Sequence, residues 1–224
     1  VEAVLSRRHS AYYERLNQAL MTVGKLFDVP VTIYRTHIDV TEPARVARHL
    51  EAVADSRDGI ILFANDVPQI ARAIKPLTKK TVVVTISTDV PDSGRHCYVG
   101  IDNFNAGLSA AKISEAMCRK GGQVLGIEPE GMAQAQIQRF NGFKHFFENR
   151  DEAQKLSFFT NDRTSTLALA ELLKFLKTET DIRVLYSPIN DAFVERVIEA
   201  GKSEEAIGSL AKIVHDLSPP SLEN

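Results

Sequence analysis

The residues whose types could do chemistry are Arg139, the adjacent aromatics Tyr12 and Tyr13, and short polar side chains that each follow an apolar run. Val1-Glu2-Ala3-Val4-Leu5 leads to Ser6, Arg7, Arg8, His9 and Ser10; Gly59 to Phe63 leads to Asn65 and Asp66; Val82 to Ile86 leads to Ser87, Thr88 and Asp89. Farther along, Glu128, Asn161 and Asp162, Asn190 and Asp191, and His215 and Asp216 stand in the same relation to the runs before them. Carboxylates, amides and a guanidinium each bridge two neighbouring hydroxyls, and an aromatic face covers the apolar side of a sugar ring. The set suits capture of a small polyhydroxylated molecule with no covalent step.

Signatures of other chemistry are absent. The sequence holds no G-x-x-x-x-G-K-[ST], no G-x-G-x-x-G after a strand, no H-E-x-x-H and no G-x-S-x-G. Its six histidines, at 9, 37, 49, 96, 145 and 215, are not paired with carboxylates at a metal-ligand spacing. The expectation is therefore a protein that is not an enzyme, with no catalytic residue, no cofactor and no metal. An enzyme on the same scaffold is the third alternative, because fold does not fix function.

These polar residues need elements that bring them to one edge. Tyr13, Leu16, Leu20, Val23 and Phe27 recur at spacings of three and four and predict a helix over 11–27. Strands are expected at 29–34, 59–63 and 82–86, with helices at 42–54, opened by Pro43, and at 67–74. The rhythm breaks at Ser87-Thr88-Asp89-Val90-Pro91-Asp92-Ser93-Gly94, where turn formers cluster before Tyr98-Val99-Gly100-Ile101. That break reads as a crossing between lobes. Alternation then resumes: helix from 103 or 104 to 119, strand 123–127, a helix around Arg139-Phe140-Asn141-Gly142-Phe143, strand 156–159, helix 165–177, strand 183–186, helix 192–200 and strand 212–214. The fold class is α/β, with two Rossmann-like βα lobes and parallel sheets, residues 1–102 and 103–224. In such sheets ligands bind beyond the carboxyl ends of the strands.

Composition narrows the partners. Twenty-seven Lys and Arg against 29 Asp and Glu give a net charge of −2, which leaves no excess positive charge for direct contact with a phosphate backbone. No apolar run approaches the roughly 20 residues of a membrane span. Two cysteines without CxxC spacing, Cys97 and Cys118, favour a reducing, cytoplasmic setting.

Plainer roles compete for several of these residues. Tyr12 and Tyr13 can pack the first helix, one facing the core and one the cleft. Asp102 and Asn103 read first as caps of the next helix, as do Asn190 and Asp191. Arg7 and Arg8 are either solvated loop charges or the mark of an acidic effector.

Thr85-Ile86-Ser87-Thr88-Asp89-Val90-Pro91-Asp92-Ser93, followed by Tyr98 to Asn103, Ala106-Gly107 and Ala110-Ala111, resembles the lobe-crossing signature of type 1 periplasmic-binding-protein folds. That superfamily holds both the effector domains of LacI/GalR-type transcription regulators and the sugar-binding proteins of ABC transporters. Arg139 to Phe143 resembles the family's R-x-x-G-F segment, whose arginine touches the ligand. The resemblance implies ligand contacts at Ser10, Tyr12, Tyr13, Ser87, Thr88, Asp89, Arg139, Asn190 and Asp216. It also implies a C-terminal return strand and helix in the first lobe, which the sequence up to Asn224 does not supply. His215-Asp216 near the end, and Arg7-Arg8-His9-Ser10 in the first loop, are similar to the regulator branch. The leading expectation is a LacI-type effector domain for a sugar-like metabolite, acting as a homodimer and reaching operator DNA through an upstream helix-turn-helix outside this chain. The alternative is an exported sugar-binding protein of an ABC transporter.

Overall fold

A computed structural model of the chain describes residues 1–6, 11–23, 25–26, 32–39, 42–118, 121–128, 134–148, 156–159, 166–189, 192–203 and 205–215. The chain divides into two compact units, the first holding residues 1–101 and 133–135 and the second residues 102–132 and 136–224.

The first unit alternates strand and helix: β1 Glu2–Ser6, α1 Ala11–Val23, β2 Tyr34–Ile38, α2 Pro43–Val53, β3 Gly59–Leu62, α3 Pro68–Leu77, β4 Val82–Ile86 and β5 Cys97–Val99. Its five strands are parallel, in the order β2-β1-β3-β4-β5. Because side chains alternate along a strand, Val4, Ile60, Leu62 and Val83 meet Leu50, Ile70 and Ile74 of α2 and α3, while Ala3, Leu5, Phe63 and Ile86 form a second cluster with Leu16 and Leu20 of α1. Both helices on the first face carry proline in their opening turn, where its missing N–H has no cost. Between β4 and β5 the connection is only a 3₁₀ turn, Pro91–Ser93, closed by Gly94 at φ +76°.

One strand departs from the sequence expectation. The β-branched stretch from Val29 predicts a strand over 29–34, whereas β2 begins at Tyr34 and runs through the more polar Tyr-Arg-Thr-His-Ile. Pairing with β1 decides this, through a register from Glu2 opposite Tyr34 to Ser6 opposite Ile38. As an end strand with Tyr34, Arg35 and His37 exposed, β2 needs few apolar side chains. Residues 29–31 lie outside those described.

The second unit holds α4 Asn103–Met117, β6 Gln123–Ile127, α5 Gln134–Glu148, β7 Leu156–Phe159, α6 Thr166–Thr178, β8 Ile182–Ser187, α7 Ala192–Gly201, the short α8 Glu205–Gly208 and β9 Ala211–Val214. Its strands are also parallel, in the order β7-β6-β8-β9. Leu125, Ile127 and Leu185 face α6 and α7; Val124, Val184 and Tyr186 face α4 and α5. On that second face the two helices approach backbone to backbone. A Cβ on Gly107 would collide with the carbonyl oxygen of Arg139, and one on Gly142 with that of Phe104. The glycine of R-x-x-G-F is thus required by helix packing. Phe143 beside it stacks on Tyr186 with ring centroids 3.7 Å apart and planes within 4°.

Candidate functional site

In the second unit the site is built on Arg139. The helix expected around Arg139 to Phe143 is α5, which starts at Gln134 and places Arg139 in its second turn, so Arg139 does not open the helix. From there its side chain is almost wholly buried, with Nε donating to Asn103 Oδ1 at 2.8 Å and Nη1 donating to the Pro188 carbonyl at 3.2 Å. Two neutral acceptors on different elements therefore fix the plane of the guanidinium. Pro188 follows β8 directly and precedes Asn190 by two residues, so the Arg139 side chain reaches a strand's carboxyl end. Asn103 owes its availability to its neighbour. Asp102 is the residue that caps α4, its Oδ1 accepting from the Asn105 amide at 3.0 Å, which leaves the Asn103 side chain buried and directed to Arg139. At the end of β9, His215 Nε2 lies 3.3 Å from the buried Tyr186 hydroxyl. Burial pushes that phenol well above its ordinary range, so Tyr186 stays protonated.

In the first unit the carboxyl ends of β3 and β4 gather Asn65, Asp66 and Ser87 to Asp89. Ser87 takes φ +64°, and the Thr88 amide donates to the Ile86 carbonyl at 2.7 Å, the bond of a γ-turn with a non-glycine residue at its centre. Thr88 is fully buried, and its Oγ1 has no hydrogen-bond partner among the described residues; Asn65 Oδ1 is in the same condition. Asp89 is engaged on both oxygens. It forms a two-pronged ion pair with Arg95 and accepts from Thr85 Oγ1 at 3.1 Å and from the Val90 amide at 2.7 Å. Burial alone would raise its pKa, but these donors outweigh burial and hold the carboxyl below its usual value. Asp66 moves the other way, raised first by burial and then by repulsion from Asp92 and Asp89.

Of the residues expected to touch a ligand, the structure thus brings Ser87, Thr88 and Asp89 into one loop and gives Arg139 an oriented, buried position. Ser10, Asn190 and Asp216 lie outside the described residues. Tyr12 and Tyr13 fall in the first turn of α1, with side chains outside the described set. The sequence pattern of the periplasmic binding protein domain matches residues 4–224. The chain belongs to that family.

Solved structures place this periplasmic binding protein domain among the type 1 folds. A glucose-galactose binding protein, GanP from Geobacillus stearothermophilus, is 22% identical, with TM-score 0.77 over 99% of this chain and 79% of its own. An ABC-transporter solute-binding protein from Burkholderia graminis, solved with D-arabinose, is 18% identical at TM-score 0.81, over 99% of this chain and 78% of its own. A protein assigned as a LacI transcriptional regulator from Bacteroides fragilis is 16% identical at TM-score 0.80, over 99% and 79% respectively. No curated protein matches. Among the described residues of the domain, no helix is long and apolar enough to cross a membrane.

Asn103 and Arg95 are partners that sequence reasoning overlooked. A doubled Asp-Asn at a helix start was the available signal for Asn103, because one residue suffices to cap. Arg95 had none beyond its place after the turn at Gly94.

Proposed function

We propose that this domain binds a sugar or a similar hydroxyl-rich metabolite without transforming it, and that the bound ligand is the effector of a LacI-type transcription regulator. The observation that carries the binding role is Arg139, a buried guanidinium held in plane by Asn103 Oδ1 and the Pro188 carbonyl at a strand's carboxyl end. A fork fixed in this way meets a pair of ring hydroxyls with little further loss of freedom. Ser10, Tyr12, Tyr13, Ser87, Asn190 and Asp216 supply the remaining contacts. Asp89 braces its loop through Arg95, and Thr88 offers its hydroxyl from within.

In the regulator reading, ligand-driven closure changes the spacing of DNA-binding heads carried by a homodimer. A ligand that moves such an equilibrium from 1:99 to 99:1 must prefer one state by about 10⁴-fold. His215-Asp216 and the Arg7 to Ser10 loop favour this reading. The glucose-galactose binding protein and the arabinose-bound ABC-transporter solute-binding protein that share this fold favour the second reading, an exported sugar-binding protein. A helix-turn-helix encoded upstream of Val1 supports regulation, whereas a leader peptide there supports export.

The binding role is tested by thermal shift and calorimetry with D-glucose, D-galactose, D-arabinose, D-xylose and their acid derivatives. At least one is expected to raise the melting temperature in proportion to RT ln(1 + [L]/Kd). Arg139→Met should abolish that rise while leaving the ligand-free melt within about 1 kcal/mol of wild type, since methionine fills the space of the arginine stem. An unaltered affinity in Arg139→Met refutes the contact.

A further inference from the structure

We propose that Tyr98 is a positioning residue that couples the Ser87–Asp89 loop to the segment leading into the second unit, by sharing one hydroxyl proton between two carbonyls. The tyrosine sits at the centre of β5, the last strand before the crossing. Its Oη lies 3.1 Å from the Ser87 carbonyl and 2.9 Å from that of Ile101. A phenol has one proton to donate, so the two acceptors compete for it.

Each carbonyl belongs to a segment with somewhere to go. Ser87, at φ +64° in its γ-turn, is held in a conformation that costs a non-glycine residue energy and persists only where its surroundings enforce it. Ile101 is the last residue of the first unit before the chain passes into the second at Asp102. Asp102, immediately after it, is tied the other way, with Oδ1 accepting from the Asn105 amide at 3.0 Å and Oδ2 from Asn105 Nδ2 at 2.6 Å. Consecutive residues are thus fastened to different units, and the rotatable bonds between them are those the Tyr98 hydroxyl restrains. Gly100 belongs to the same device, because a Cβ there would collide with the Tyr98 hydroxyl and ring. A ligand donor that satisfies the Ser87 carbonyl frees the proton for Ile101, and one that draws the loop away does the same. Occupancy of the loop thereby sets the stiffness of the crossing.

Only this last step rests on the sugar-binding reading; the coupling itself is tested without ligand. Amide exchange is followed by NMR in wild type and Tyr98→Phe, which keeps the ring and removes the hydroxyl. The expected result is an increase of about fivefold, the equilibrium equivalent of one lost hydrogen bond, at Thr88 and at Asn105 and Ala106 together, with Leu125 and Leu185 in the second sheet unchanged. Acceleration at neither segment, or at one alone, overturns the proposal. Gly100→Ala should reproduce the pattern by displacing the ring and should add nothing in a Tyr98→Ala background; an additive effect there also overturns it. D-galactose and D-arabinose are then added. If either binds, Tyr98→Phe should weaken it by a similar factor, and equal affinity contradicts the coupling. If none of the sugars and sugar acids of the thermal-shift series binds the wild-type chain, the proposed function fails, and the ligand-free comparison still decides the role of Tyr98.

Discussion

Among the described residues each unit contains one almost fully buried charged side chain, Glu2 in the first and Arg139 in the second, and their hydrogen-bond partners differ in kind. Glu2, on β1, is surrounded by donors: Thr36 Oγ1 at 2.6 Å, Arg57 Nε at 3.0 Å, and His49 Nε2 at 3.0 Å. Arg57 in turn lies 4.1 Å over the Tyr34 ring. This network sits at the amino ends of the strands and uses side chains of one unit to answer a charge of the same unit. Arg139 lies at the carboxyl end of β8, with an amide oxygen and a backbone carbonyl among its partners. Burying any charge has a desolvation cost of several kcal/mol before compensation. Donors around Glu2 offset that cost as a structural brace, whereas the Asn103 and Pro188 oxygens orient Arg139, and the proposed function makes that orientation the preparation of a ligand contact.

The sharpest way to break the contrast is at Gly107. Arg139 is positioned by backbone contact between α4 and α5, so Gly107→Ala must push the helices apart, costing the second unit about 3 kcal/mol by chemical denaturation and removing any sugar-induced stabilisation with it. A stable variant with full ligand response would separate Arg139 from helix packing. Glu2→Ala comes next, with an expected loss of about 2 kcal/mol. Its partners Arg57 and His49 are each 23% exposed and can turn to water, so the loss reflects missing charge-assisted hydrogen bonds rather than a stranded charge. This variant should leave sugar affinity untouched, and a lost affinity would dissolve the distinction between brace and ligand contact.

Acid resolves the same pair more finely. Burial raises the Glu2 pKa, but hydrogen bonds from Thr36, Arg57 and His49 outweigh it, and the folded value falls below 4.5. A depressed carboxyl contributes stability that is present above the unfolded pKa and lost as pH falls through the folded one. The stability of wild type should therefore decline below about pH 4.5, with Glu2→Gln flatter across that window in a urea titration; parallel curves would remove Glu2 from the acid transition.

The alternation of strands and helices was legible because continuous apolar runs such as Gly59 to Leu62 and Val82 to Ile86 have no other stable use than a sheet covered on both faces. Among the described elements β2 and the one-turn α8 escaped, β2 because an end strand answers to its neighbour's register more than to its own composition. The site was half legible. Arg139 stood out by its context, but its partner Asn103 comes from 36 residues away and is chosen by the approach of two helices at glycines. No local pattern carries such a distance. Glu2 was hidden for the converse reason. A carboxylate inside an apolar strand has no periodic signal, and its donors come from β2, α2 and the turn before β3, 34 to 55 residues later.

Thr88 gives the smallest effect and the finest discrimination between bracing and binding. Its hydroxyl is fully buried and has no partner among the described residues, which leaves about 1 kcal/mol of desolvation unanswered in the ligand-free fold. Valine has the same shape and the same stiffness at χ1, so Thr88→Val removes the unsatisfied group without opening a cavity. A gain of about 0.5–1 kcal/mol is expected in chemical denaturation. If a sugar hydroxyl is the missing partner, the same variant should bind less tightly although it folds more firmly, the signature of a position kept for function against stability. A gain in stability with unchanged affinity would assign Thr88 to the loop's interior and leave Ser87 as its contact. A loss of stability would mean that the hydroxyl already has a partner, and the loop would join Glu2 on the structural side of the contrast.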